Sequence, residues 1–222
     1  MTVGADRARW ATLLHGVARA ALAGTPLMSD APPSKRRDWI AGFRDELGVS
    51  RRVDRALLAR VLGVDHGPAP EDATPDEALW WATDDPAIGT LVRPGKGPLL
   101  YEPGDDTPIE VRTESELCAL HALWARQHAE AGVVARCLSA ARWHIAEIQP
   151  DNATGTPWAV HVFVELACRE RNAKARDAAL FHAEGLVHTG SVTLGKPGLR
   201  AACLLLDAAR WLDGAYDAET PS

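Results

Sequence analysis

The stretch "TPWAVHVFVELACRE", residues 156 to 170, constrains the fold more than any other. Thr-Pro is a helix-opening signal, with a capping residue followed by proline at the first helical position. The residues that follow are apolar nearly all round. Such a helix has no solvent face, so other helices must enclose it. The chain must therefore build a helical domain around this segment.

The flanking sequence supplies the enclosing helices. Thr113 and Glu116 in "TESE" have the spacing of a capping box and are expected to open a helix. Leu117, Leu120, His121, Trp124 and His128 share one face of it, and Gly132 ends it. Val134, Leu138, Ala141, Ile145 and Ile148 define the next helix, which stops at Gln149-Pro150. Residues 173 to 189 and 198 to 212 add two more. About five helices joined by short turns favour antiparallel neighbours. Trp124, Trp143, Trp158, Phe163, Leu166, Leu205 and Leu206 are expected to share one core. In general shape only, this resembles the tetratricopeptide class of stacked helical hairpins; no fixed period is present.

Upstream, residues 5 to 23, 35 to 47 and 51 to 62 read as helices, and a short one is expected around Trp80 and Trp81. The N-terminal "WATLLHGVARAALAG" is interrupted by His15 and Arg19, so it reads as an amphipathic helix rather than a leader. In "PLLYEPGDDTPIEV" two short apolar runs flank Pro103-Gly104, which predicts a β-hairpin of residues 98 to 102 with 107 to 111 and leaves room for a third strand near 90 to 93. The expected fold class is mainly α with a small β-hairpin insertion. The expected division is an N-terminal helical segment at 1–64, an acidic loop and hairpin at 65–112, a helical domain at 113–213 and a tail at 214–222.

Composition narrows the function classes. A net charge of −6 argues against coating the surface with nucleic acid. No apolar run approaches the length of a membrane span. Cys118, Cys137, Cys168 and Cys203 are widely spaced among apolar residues, as buried thiols are in a reducing compartment, and point to the cytoplasm.

Three motifs carry chemistry. "GSVTLGKPG", residues 190 to 198, comes close to a phosphate-binding loop, but Pro197 stands where a magnesium-binding hydroxyl is needed and a helical pattern precedes it. We expect a loop between helices and no nucleotide. The segment 34 to 63 carries a net +4, and "ELGVSRRVDRALLAR" resembles a helix-turn-helix, which would put Arg51, Arg52 and Arg55 on nucleic acid. Asp54 stands where that motif has an apolar residue. The acidic run from 64 to 117, at −10, offers the basic segment a partner inside the chain. Finally, six histidines lie after residue 112. His161 and Glu165 share a helix face, and with His144 they form a candidate transition-metal set. "HVFVE" resembles the H-x-x-x-E element of hemerythrin-like bundles, whose remaining ligands have no counterpart here. The simpler expectation is a structural His161–Glu165 pair.

The leading expectation is a non-enzymatic helical protein that binds another protein or serves as a structural accessory and needs no cofactor. A metal-binding bundle using His144, His161 and Glu165 is the alternative, and nucleic-acid binding through Arg51, Arg52 and Arg55 is the third.

Overall fold

The computed structural model describes residues 3–81, 100, 107–127, 132–148, 154–191 and 195–217. Among these the chain is helical and contains no strand. The helices are α1 (Val3–Leu22), α2 (Pro33–Gly42), α3 (Arg52–Leu62), α4 (Pro75–Ala78), α5 (Ile109–Trp124), α6 (Val133–Glu147), α7 (Val160–Arg169), α8 (Ala173–Thr189) and α9 (Leu199–Asp213). A short 3-10 turn, Pro26–Met28, follows α1. None of these helices is long and apolar enough to cross a membrane.

The backbone contacts divide into two units, Met1–Gly67 with Gly190–Ser222, and Pro68–Thr189. The break read from sequence at 64 lies close to the first boundary. The break at 112 instead falls inside the second unit, and α9 joins the N-terminal helices. Leu205 and Leu206 therefore belong to the first unit, whereas Trp124, Trp158, Phe163 and Leu166 belong to the second. Trp143 is half-exposed rather than core.

In the first unit α9 is buried almost throughout, from Arg200 to Leu212, and packs along α1 and α3. Two ion pairs fix the α3–α9 contact. Arg200 Nε lies 2.8 Å from Asp54 Oδ1, and Arg60 Nη2 lies 2.6 Å from Asp207 Oδ2. The earlier α3 residue, Asp54, meets the earlier α9 residue, Arg200, and the later Arg60 meets the later Asp207, so α3 and α9 run parallel. Asp207 also accepts the Tyr216 hydroxyl at 2.6 Å. Asp54 closes the capping box of α3 by accepting the Arg51 N–H. The residue that departs from the helix-turn-helix pattern is thus an internal ion-pair partner. The glycine-rich 190–198 segment joins α8 to α9, with Lys196 exposed and Pro197 buried; residues 192–194 lie outside the described residues. A Cβ built at Gly198 would overlap the Glu46 carboxylate, so that acid lies against the N-terminus of α9, where the helix dipole favours negative charge.

In the second unit α7 is buried from Val160 through Cys168, as its all-round apolar pattern requires. It packs against α8, α6 and α5. The four cysteines are buried, and none forms a disulfide.

Three expectations need correction. The segment 109–111, read as a strand, opens α5 instead, behind Pro108. Proline supplies the dihedral for a helix start as readily as for a turn. The other hairpin strand and the third strand at 90–93 fall outside the described residues, apart from Leu100. Thr113 lies within α5 rather than capping it, and the Glu116 carboxylate accepts the Leu100 N–H at 3.0 and 3.1 Å. The glutamate does satisfy a backbone donor, but one from a distant segment. The Thr156-Pro157 start is delayed to Val160, because Ala159 adopts a left-handed φ of 54°.

Candidate functional site

The buried imidazoles of the second unit fall into two groups. His121 on α5 and His161 on α7 meet edge to face, with ring centroids 4.6 Å apart. Trp80, Trp124 and Trp158 surround them at 5.4 to 6.0 Å. The strained turn before α7 is part of this group. Left-handed backbone at a non-glycine residue costs about 1 to 2 kcal/mol. Here it turns the Ala159 N–H onto His121 Nδ1 at 3.0 Å. His121 therefore presents a lone pair at Nδ1. The indoles are tied too: Trp158 donates to Glu114 at 2.6 Å and Trp80 to Cys118 Sγ at 3.1 Å.

His144 on α6 and His182 on α8 form the second group, on either side of Phe163 at 6.4 and 4.3 Å. His144 Nδ1 and His182 Nε2 have no hydrogen-bond partner among the described residues. Burial, and then the neighbouring His182, push the His144 pKa down to about 3. Burial pushes His182 down to about 4. Both rings are neutral at neutral pH. His182 lines a cleft of about 240 Å³ beside Glu147 and the exposed Phe181.

The candidate metal residues are consequently dispersed. His144 lies with His182, His161 with His121 and Trp124, and the Glu165 carboxylate accepts from Arg169 at 3.3 Å, one turn along α7. Among the described residues no group of three or more histidine, cysteine, aspartate or glutamate side chains could hold a metal ion.

The arginines proposed for nucleic acid also separate. Arg51 is half-buried and ion-paired with Asp45, while Arg52 and Arg55 are exposed on α3. Arg60, in the same basic segment, is committed to Asp207.

Sequence reasoning missed the connection between α2 and α3, where α2 was extended to residue 47. α2 stops at Gly42, and the chain turns at Asp45. The Asp45 side chain is buried, and its Oδ1 accepts the N–H of Leu47 at 3.0 Å and of Val49 at 2.8 Å. Its own N–H donates to Val49 O at 2.8 Å, and its carbonyl accepts from Gly48 at 3.0 Å, with Gly48 at a φ of 76°. The Arg51 guanidinium bonds the other carboxylate oxygen. Burial would raise the Asp45 pKa, but the Arg51 bond and the Val49 and Leu47 amides outweigh it and hold the carboxyl below its ordinary value. This scaffold points two apolar side chains outward: Leu47 is 73% exposed and Val49 42%. Arg44, Arg52 and Arg55 are exposed around the loop in sequence. The readable signal was aspartate followed at short range by glycine between apolar residues, which offers the backbone an alternative to the helix.

No family model, curated protein or solved structure matches this chain, so its own geometry carries the functional reading.

Proposed function

We propose that the protein is a non-enzymatic interaction module whose 45–51 loop docks on an acidic protein surface bearing an apolar pocket. The observation that carries this is the outward Leu47 on a loop that buried Asp45 holds in one conformation. An exposed leucine on a fixed backbone binds without losing loop entropy, which is the advantage of a preorganised contact. The charge balance sets the sign of the partner. Residues 1–67 and 190–222 carry fourteen basic against eleven acidic side chains, whereas the whole chain is at −6. Arg44, Arg52 and Arg55 would steer an acidic surface toward the loop.

The test compares the native chain with a Leu47→Asp/Val49→Asp double variant, each immobilised and offered an extract of the source cells. One protein should be retained stoichiometrically by the native chain, released by salt, and bound at least about tenfold more weakly by the double variant, as for loss of an interface hot spot. Equal retention by both chains would sink the reading. Self-association that the double variant abolishes would put a second copy in the partner's place.

A further inference from the structure

The C-terminus of α3 carries more positive charge than a helix end needs. Its last four carbonyls are all satisfied. Gly63, in a left-handed conformation, and Val64 turn their N–H groups back onto Arg60 and Ala59. The remaining two carbonyls are taken by arginines: Arg210 bonds Val61 O, and Arg36 Nη1 bonds Leu62 O at 2.9 Å while its Nε bonds Ala31 O at 2.7 Å. Both guanidinium groups thus sit at the same helix end and line the same cleft. Neither has a carboxylate partner among the described residues. A helix C-terminus contributes roughly half a negative charge. Two half-buried guanidiniums exceed that, even with Asp30 at the rim.

Both arginines line a polar cleft of about 360 Å³ that also includes Ser29, Asp30, Val61 and Leu62. That volume is near the lower end for small-molecule pockets, so it suits a metabolite-sized ligand rather than a polymer. We propose that this cleft binds an oxyanion of the phosphomonoester class, with the unengaged edges of Arg36 and Arg210 gripping the phosphate and the Ser29 hydroxyl, which in the unliganded chain donates to the Thr25 carbonyl at a long 3.4 Å, turning to it. Planar guanidiniums fixed by backbone carbonyls are preorganised for paired hydrogen bonds to phosphate oxygens. Asp30 stands ready to accept a hydroxyl or amine from the rest of the ligand. The site is independent of the 45–51 loop.

The test uses the full chain and inorganic phosphate, followed by glycerol phosphate and by vesicles containing phosphatidic acid. Removing either arginine would also uncap α3, so the variants are placed at the rim. Ser29→Asp puts a carboxylate into the cleft that the guanidiniums line and keeps both arginines on the α3 carbonyls. Asp30→Asn removes a like charge from the ligand's side. Calorimetry should show saturable phosphate binding in about the millimolar range or tighter, against a background of chloride at equal ionic strength. Ser29→Asp should weaken it at least about tenfold, as loss of a charge-assisted contact would. Asp30→Asn should tighten it by about twofold to fivefold, the usual worth of an exposed charge pair. Glycerol phosphate binding without vesicle binding assigns a soluble ligand, and binding of both assigns a lipid headgroup as an admissible source. Absence of saturable phosphate binding, or unchanged affinity in Ser29→Asp, overturns the proposal.

Discussion

In the first unit α3 and α9 meet through buried charges of opposite sign, whereas around α7 the buried polar groups are mainly imidazoles, two of which, His144 and His182, burial holds neutral. Asp54 meets Arg200 and Arg60 meets Asp207, so α3 and α9 are registered by two opposite-sign pairs. Around α7 the corresponding space holds His121, His144, His161 and His182 among tryptophans and Phe163. The first arrangement specifies a register, because a shifted helix would leave buried charges unmatched. The second tolerates the burial of His144 and His182 because a neutral imidazole costs far less to desolvate than an ion. The two units should therefore fail differently when perturbed.

The largest effect should come from breaking an ion pair. Asp207→Ala takes the carboxylate from the half-buried Arg60 and also removes the acceptor of the Tyr216 hydroxyl. Removing one partner of a buried pair costs about 3 to 5 kcal/mol, and the lost hydroxyl bond should place this change at the upper end. Replacing both partners, as in Arg60→Met/Asp207→Leu, should recover most of that loss, since apolar packing substitutes well for a buried pair. Denaturant midpoints for the single and double variants check it. A double variant as unstable as the single would mean that the pair is not the source of the effect.

Emptying the aromatic cluster should come next. Trp158 is 1% exposed and touches Trp80 and His121. Trp158→Ala should lose about 3 to 5 kcal/mol. Trp158→Phe, which keeps the packing but drops the bond to Glu114, should lose only about 1 kcal/mol. A melting temperature unchanged by the alanine substitution would contradict the burial.

Acid should separate the units without any mutation. His144 and His182 have folded pKa values of about 3 and about 4, below the unfolded value near ~6.5. Between those limits the unfolded chain binds the extra protons, so stability falls as pH falls. From pH 7 to pH 5.5 the two rings together should cost about 2 to 3 kcal/mol. His182→Leu should remove roughly half of that slope and relieve the downward push on His144. Stability measured across this range in native and variant chains reads the difference, and identical slopes would refute it. The sign is opposite to that expected of a His161–Glu165 ion pair, which would strengthen on acidification.

What could be read from the sequence follows from these two chemistries. Apolar periodicity revealed α3, α7, α8 and α9 and the burial of α7, because those signals are local. Asp54, Arg200 and Asp207 look like solvated positions, since nothing local distinguishes a paired buried ion from an exposed one. The partnership of α9 with α3, whose paired residues Asp54 and Arg200 lie 146 apart in sequence, was therefore hidden, and α9 was assigned to the wrong neighbours. Glu116 was misread for a related reason: its spacing from Thr113 suggested a local cap, while its actual donor is Leu100. Of the site residues, the sequence singled out His144 but not His182, and Arg51 but not Asp45, the residue that Arg51 serves. The left-handed turn at Ala159 leaves no mark on an alanine.

The smallest effect should come from the loop that presents Leu47, and there smallness is the informative result. Leu47 is 73% exposed and makes no contribution to either core. Leu47→Asp should therefore change stability by less than about 0.5 kcal/mol, as for surface substitutions away from structural features. Asp45→Ala is the contrasting change two residues away. It removes the acceptor of the Leu47 and Val49 N–H groups and of one Arg51 bond, so it should cost about 1 to 3 kcal/mol. Because the Asp45 pKa is lowered in the folded chain, its contribution is present above the unfolded value near ~3.9 and fades as pH falls through the folded one. The gap between Asp45→Ala and the native chain should thus be full at pH 7 and shrink below about pH 4. If Leu47 serves a partner, Leu47→Asp abolishes capture while leaving the melt untouched, and Asp45→Ala weakens both. A Leu47→Asp chain that melts several degrees lower would show that the leucine supports its own fold, and the loop would lose its claim to be a docking surface.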